Sequence, residues 1–261
     1  MSNHYYKEIP PWGDRGLKNM KKHIPNTITC CNLISGCVAT VFALFGIPEM
    51  ALLFIILGAV FDFFDGMTAR VLGVSSPIGK ELDSLADDVT FGVAPASILF
   101  WFLGIIDYPS FLEGWRNVIP FLAYIIAAFS ALRLAKFNLD TRQTTSFIGL
   151  PTPANALFWG SLIVGLGTQM MFWAYSLPLL LIGIMVSSWL LIAEIPMFAL
   201  KFKHWGFKGN EIKYGFVIFS AIALIGGIAY GIVKENIHIC YLPFSIIILA
   251  YIAVSIATQK K

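Results

Sequence analysis

The sequence predicts an all-α, polytopic membrane protein of about eight transmembrane helices. Of its 261 residues, 57% are hydrophobic and 13% charged, about half the charged share of a soluble domain. Too few polar side chains are present to coat a large water-facing core. Apolar stretches recur at the length a helix needs to cross a bilayer, about 20 residues. The basic residues are also sorted: all but two of the 18 Lys and Arg fall on one set of helix ends, the exceptions being Arg116 and Lys234.

The apolar segments run over residues 27–46, 49–72, 81–106, 117–137, 153–173, 176–199, 214–233 and 239–257. Their links are short and carry Gly or Pro, so one transmembrane domain over 27–261 is expected. Ahead of it, residues 1–26 form an N-terminal segment. Within this segment PWGDRGLKNMKKHI (11–24) mixes Trp and aliphatics with Lys and Arg, as a helix lying on the membrane surface does; a disordered tail is the alternative. The first 25 residues are polar and basic and show no secretory leader. Positive charge marks the cytoplasmic side. An even number of crossings then puts both termini there, with Arg70, Lys80, Arg133, Lys136 and Arg142. A chain of this type suits a prokaryotic cytoplasmic membrane. Cys30, Cys31, Cys37 and Cys240 have no metal-ligand spacing and read as small hydrophobes. Phe100, Trp101, Phe102, Trp115, Phe172 and Trp173 read as an interfacial belt at the outer boundary.

Chemistry concentrates where the second segment ends, FDFFDGMTARVLG, and the third begins, GKELDSLADDVTFG. Charge near the apolar part of a membrane helix costs a few kcal/mol on insertion scales, so carboxylates gathered there point to function. Asp62, Asp65, Gly66 and Ala69 fall at i, i+3, i+4 and i+7, one stripe of a helix. Asp83 and Asp87, at i and i+4, form a stripe on the next. Antiparallel neighbours on a short link can bring the stripes face to face. Four converging carboxylates repel unless neutralised, and oxygen-only ligands suit hard cations. Small Gly66 and Ala69 would let a bulky ligand approach, and Arg70 supplies a forked phosphate donor. On these grounds alone two readings stand: metal-assisted phosphate chemistry, or the proton or cation pathway of an ion-coupled transporter.

The pattern Asp62-x2-Asp65-Gly66-x2-Ala69-Arg70-x8-Gly79-x3-Asp83-x3-Asp87 resembles the complete signature of the CDP-alcohol phosphatidyltransferases. That resemblance implies a six-helix catalytic core, dimerisation and a polar cavity open to the cytoplasm. It makes the last two helices here an accessory pair. It also implies that Asp62, Asp65, Asp83 and Asp87 hold a pair of divalent ions, Mg²⁺ or Mn²⁺, and that Asp87 is the general base. Gly66, Ala69, Arg70 and Gly79 would line the cytidine diphosphate pocket.

Four further segments resemble the phosphatidylserine synthase branch of the family: PNTITCCNLISG (25–36), DSLADDVTFGVAPA (83–96), RLAKFN (133–138) and FIGLPTPANA (147–156), with a looser IMVSS at 184–188. The resemblance gives Asn32 a role on the nucleotide side; an amide in an apolar helix otherwise bonds a neighbouring helix. Arg133 would bind the serine carboxylate with its fork or serve as a positive-inside anchor. Asn138 would orient the acceptor or cap its helix. Glu194, just before Pro196 near a helix end, would contact substrate, or snorkel or pair with nearby lysines. The expected reaction is transfer of a phosphatidyl group from CDP-diacylglycerol to L-serine, giving phosphatidylserine and CMP. Glycerol 3-phosphate or inositol phosphate are the alternative acceptors. Membrane lipid and a second copy are the expected partners, and no nucleic acid.

Overall fold

The computed structural model describes residues 12–74, 76–140, 147–198, 206–207 and 209–258, with backbone alone for 12–22 and 147. Among them the chain is helical nearly throughout: α1 (Trp12–Leu44), α2 (Pro48–Val71), α3 (Pro77–Asp87), α4 (Ala94–Ile105), α5 (Ile125–Leu139), α6 (Thr152–Met171), α7 (Ser176–Ile192), α8 (Glu211–Val233) and α9 (Leu242–Ala257). The one exception to helix and turn is a two-residue antiparallel ladder, β1 (Phe147–Ile148) on β2 (Pro196–Met197).

Among the described residues, six stretches are long and apolar enough to cross a membrane: His23–Leu44, Pro48–Val71, Pro77–Ile105, Ile119–Leu139, Glu211–Val233 and Ile237–Ala257. The segments expected at 153–173 and 176–199 form α6 and α7, but α7 ends at Ile192, well before residue 199. Polar Thr152, Asn155, Ser161, Thr168 and Gln169 dilute α6. The segment expected as an interfacial helix is helical from Trp12 onward, and it runs through Pro25 into the first span as one element.

The third span is the centre of the molecule: 61% of its apolar window is buried within the chain, against 6% for α8. Ile98, Leu99, Phe102 and Leu103 from α4 pack with Ala39, Ala43, Ile55, Ile126 and Trp159 in the main core. Phe102 therefore belongs to the core and not to an interfacial belt, whereas Trp115, Phe172 and Trp173 are exposed. Lipid gives apolar helices little reason to associate, so close packing and interhelical hydrogen bonds decide which faces meet. Gly36 of α1 and Gly58 of α2 both press on Thr90, and a Cβ on Gly58 would strike the Thr90 methyl and Asn32 Oδ1. These two glycines let α1, α2 and the third span converge beside the aspartates.

Three contacts gather the opposite end. Gly46, between α1 and α2, lies against Trp101. The Asp107 N–H donates to the Met171 carbonyl at 3.0 Å, and His238 Nδ1 is 3.4 Å from Glu49 Oε1. Arg116 and Lys234 sit in the loops of that end, away from the aspartates.

Candidate active site

Asp62 and Asp65 stand on the last half of α2 and Asp83 and Asp87 on α3. The link between them is a tight reversal. Gly73, with φ of 61°, adopts a left-handed conformation open to it at little cost. Ser76 then caps α3, its Oγ accepting the Gly79 N–H at 2.9 Å, and Pro77 takes the first helical position. Ligand oxygens of Asp62, Asp83 and Asp87 all lie within 4.8 Å of one another. Asp65, one turn along from Asp62, stands just outside this trio but interacts electrostatically with all three.

The first helix supplies the donors. Thr29 Oγ1 donates to Asp65 Oδ2 at 2.6 Å, and Asn32 Nδ2 donates to Asp87 Oδ1 at 3.1 Å. An ionised carboxylate only accepts, so the amide nitrogen must be the atom facing Asp87. Asn32 is anchored in turn, its carbonyl accepting from Thr90 Oγ1 at 3.0 Å.

The residues fit a hard divalent cation. The cluster is all carboxylate, with no His or Cys in it. Asp83 Oδ1 is buried with no hydrogen-bond partner, the state of an atom built to meet an ion. Without a cation, three carboxylates this close oppose one another strongly.

One cavity adjoins the aspartates, and a second opens beside Arg133. The first, of about 250 Å³, is lined by Thr29, Asp65, Gly66, Ala69, Gly79, Lys80 and Asp83 with Pro25, Asn26, Val74 and Ser76. Gly66, Ala69 and Gly79 thus share one cavity beside Asp65 and Asp83. Arg70 does not line it: the side chain is exposed and its Nε donates to the Gly66 carbonyl of its own helix at 2.9 Å. The second cavity, of about 310 Å³, is lined by Arg133, Lys136, Phe137, Leu139, Asp140, Ile148, Leu191, Ile192 and Glu194. Arg133 is buried, its Nε has no hydrogen-bond partner, and its guanidinium interacts electrostatically with Asp87. It therefore stands between the second cavity and the aspartates.

Asn138 lies elsewhere. Its Nδ2 donates to Ser84 Oγ at 2.8 Å, and its carbonyl accepts from Lys80 Nζ at 2.7 Å. This clasp ties the end of α5 to α3 between Asp83 and Asp87. Arg142 is outside the described residues.

Several functional features are absent from the residue-by-residue expectations. Thr29 is one, although the polar positions Asn26, Thr29 and Asn32 at helical spacing in an apolar helix are a readable signal. Lys80 is another: expected only among the positive-inside charges, it lines the first cavity. A third is the π-helical turn Asp88–Val93 that follows Asp87 directly. Such single wide turns cluster at functional sites, but nothing in hydropathy marks one.

Comparison with known proteins agrees with this geometry. The family model for CDP-alcohol phosphatidyltransferase matches residues 22–200. The CDP-diacylglycerol–serine O-phosphatidyltransferase of Bacillus subtilis is 38% identical over 183 residues, 70% of this chain and 91% of that protein. The protein of the same name from Mycobacterium leprae is 32% identical over 241 residues, 85% of this chain and 74% of its own. That of Methanocaldococcus jannaschii is 38% identical over 134 residues, covering 51% of this chain and 57% of its own. With its signature aspartates gathered at the meeting of α2 and α3, this chain belongs to the CDP-alcohol phosphatidyltransferase family.

Proposed function

We propose that this membrane protein transfers the phosphatidyl group of CDP-diacylglycerol to the hydroxyl of L-serine, forming phosphatidylserine and CMP. The observation that carries the reading is the meeting of Asp62, Asp83 and Asp87 between one cavity walled by small residues and another faced by a buried arginine. The similarity to relatives that bear the name of this reaction supports serine as the acceptor.

In this reading the first cavity takes the cytidine diphosphate. Gly66, Ala69 and Gly79 leave room for it, Lys80 offers an ammonium to its phosphates, and Asn32 acts on the nucleotide side by orienting Asp87. Arg70 reaches the nucleotide by leaving its helix carbonyl. Asp62, Asp65, Asp83 and Asp87 hold divalent metal, a pair of Mg²⁺ or Mn²⁺ ions. When bound, these ions neutralise the diphosphate and the oxygen on which CMP departs. Serine enters the second cavity, where the fork of Arg133 takes its carboxylate. Asp87, its other oxygen held by Asn32, accepts the hydroxyl proton as the serine oxygen attacks phosphorus. Asn138 acts from outside, holding α3 in place through Ser84.

The same reading counts α6 and α7 as crossings, giving eight in one domain over residues 27–261, with residues 1–26 as the N-terminal segment. Placement of Arg116 and Lys234 at the end away from the aspartates supports an active site facing the cytoplasm. The functional unit is a homodimer, as the family resemblance implies.

CMP release from CDP-diacylglycerol, measured on the purified full-length protein with serine, glycerol 3-phosphate, inositol phosphate or ethanolamine, tests the proposal. Serine alone should sustain rapid release. Turnover with glycerol 3-phosphate and none with serine would assign a different acceptor.

A further inference from the structure

The last helix, α9, lies beyond residues 22–200 that match the family, yet it packs behind residues that line the acceptor cavity. It is fixed to the catalytic core by a buried hydrogen bond between Ser161 and Ser245 hydroxyls at 2.6 Å. Ser245 Oγ also donates to the Phe158 carbonyl at 3.2 Å.

Two turns further along, Tyr251 is buried, at 8% exposure. Its hydroxyl donates to the Phe198 carbonyl at 3.0 Å, just past β2, and its ring lies 4.9 Å from the Phe198 ring. Strand β2 pairs with Ile148, and Ile148 and Glu194 line the acceptor cavity. Tyr251 therefore pins the backbone that forms one rim of that cavity.

The same residue supports the opposite wall. Tyr251 shares an apolar cluster with Leu150, Leu190 and Leu191, and Phe129 of α5 packs on that cluster. Leu191 lines the cavity, and Phe129 is one turn before Arg133 on the same helix face. The Tyr251 hydroxyl is also an electrostatic neighbour of the Arg133 guanidinium.

We propose that α9 buttresses the acceptor cavity from behind, with Tyr251 as a positioning residue that pins the Phe198 carbonyl and steadies Arg133, so setting affinity for the acceptor's carboxylate. This rests on the reading that Arg133 receives that carboxylate. Tyr251 itself does not line the cavity, so it acts through the rim and through Arg133.

The test is a double-mutant cycle on the full-length protein, with CMP release as the assay. Tyr251→Phe keeps the ring and deletes the hydroxyl. It should raise KM for serine about threefold to tenfold, the factor for one lost hydrogen bond, and leave KM for CDP-diacylglycerol unchanged. In an Arg133→Ala background the same change should add nothing, because the group it steadies is gone. An equal rise in both KM values, no rise at all, or an undiminished effect in the Arg133→Ala background would each overturn the proposal. If Arg133→Ala raises KM for serine while Tyr251→Phe does nothing, only the role of Tyr251 falls. If Arg133→Ala leaves KM for serine unchanged, the acceptor reading falls, and the role of Tyr251 with it.

Discussion

Thr29→Val removes one hydroxyl and keeps the shape of the side chain. In the native protein that hydroxyl donates to Asp65 Oδ2 at 2.6 Å, and Asp65 is 6% exposed. The bond is short and its acceptor is a carboxylate, so its class is worth about 1.5–3 kcal/mol. Water in the adjoining cavity can replace part of it, which favours the lower end. At about 1.4 kcal/mol per factor of ten, 1.5 kcal/mol is roughly tenfold in an equilibrium constant. Asp65 would lose its orientation toward the cluster, so the loss should appear in metal affinity. The expected result is a rise of about tenfold in the Mn²⁺ concentration that half-saturates CMP release at saturating CDP-diacylglycerol, within the 10–100-fold span typical of residues that orient metal ligands. High Mn²⁺ should restore most of the rate, and Thr29→Ser, which keeps the donor, should stay close to native. An unchanged Mn²⁺ curve for Thr29→Val would refute the reasoning, because Asp65 would then need no help from α1.

Asp62→Ala and Asp83→Ala should each abolish turnover while the protein still inserts in the membrane. Relief of repulsion among the clustered carboxylates should raise the melting temperature in EDTA, and a fall would contradict the packing of charge inferred here. Asp87→Asn should lose turnover more completely than CDP-lipid binding, since the amide cannot take a proton; a native rate would remove Asp87 from the mechanism. Arg133→Ala should raise KM for serine roughly tenfold to a hundredfold, with Arg133→Lys recovering part of the loss. Ethanolamine, lacking the carboxylate, should be an equally poor acceptor for native and Arg133→Ala protein. Asn138→Ala, by freeing Ser84, should lower kcat more than it raises KM for serine, and the reverse pattern would place Asn138 in the acceptor cavity.

The membrane fold was legible because hydropathy and charge sorting are long-range signals that survive local detail. The meeting of carboxylates on α2 and α3 was legible for a different reason: they come from consecutive helices, so residue spacing alone sets the stripes. What escaped notice depends on tertiary partners. Arg70 is expected at the nucleotide, and its bond to the Gly66 carbonyl of its own helix is a resting contact that spacing cannot reveal. Asn138 was expected at the acceptor or as a cap, and the packing of α5 on α3 turns it to Ser84. Glu194 left two readings open in sequence, substrate contact or lysine partner, and only the folded chain sets it with Ile148 and Arg133 around one cavity. The π turn at Asp88–Val93 changes which residues face α5 and α6, and no period in the sequence marks it. The last two helices read as an accessory pair in sequence because the contacts that tie α9 towards the site, Tyr251 to the Phe198 carbonyl and Ser245 to Ser161, join residues distant along the chain.

Metal dependence tests the central claim most directly. Purified protein stripped with EDTA and returned to chelator-free buffer should release no CMP from CDP-diacylglycerol and serine, and added Mg²⁺ or Mn²⁺ should restore serine-dependent release. Full activity in the stripped protein would contradict a catalytic centre built on Asp62, Asp65, Asp83 and Asp87.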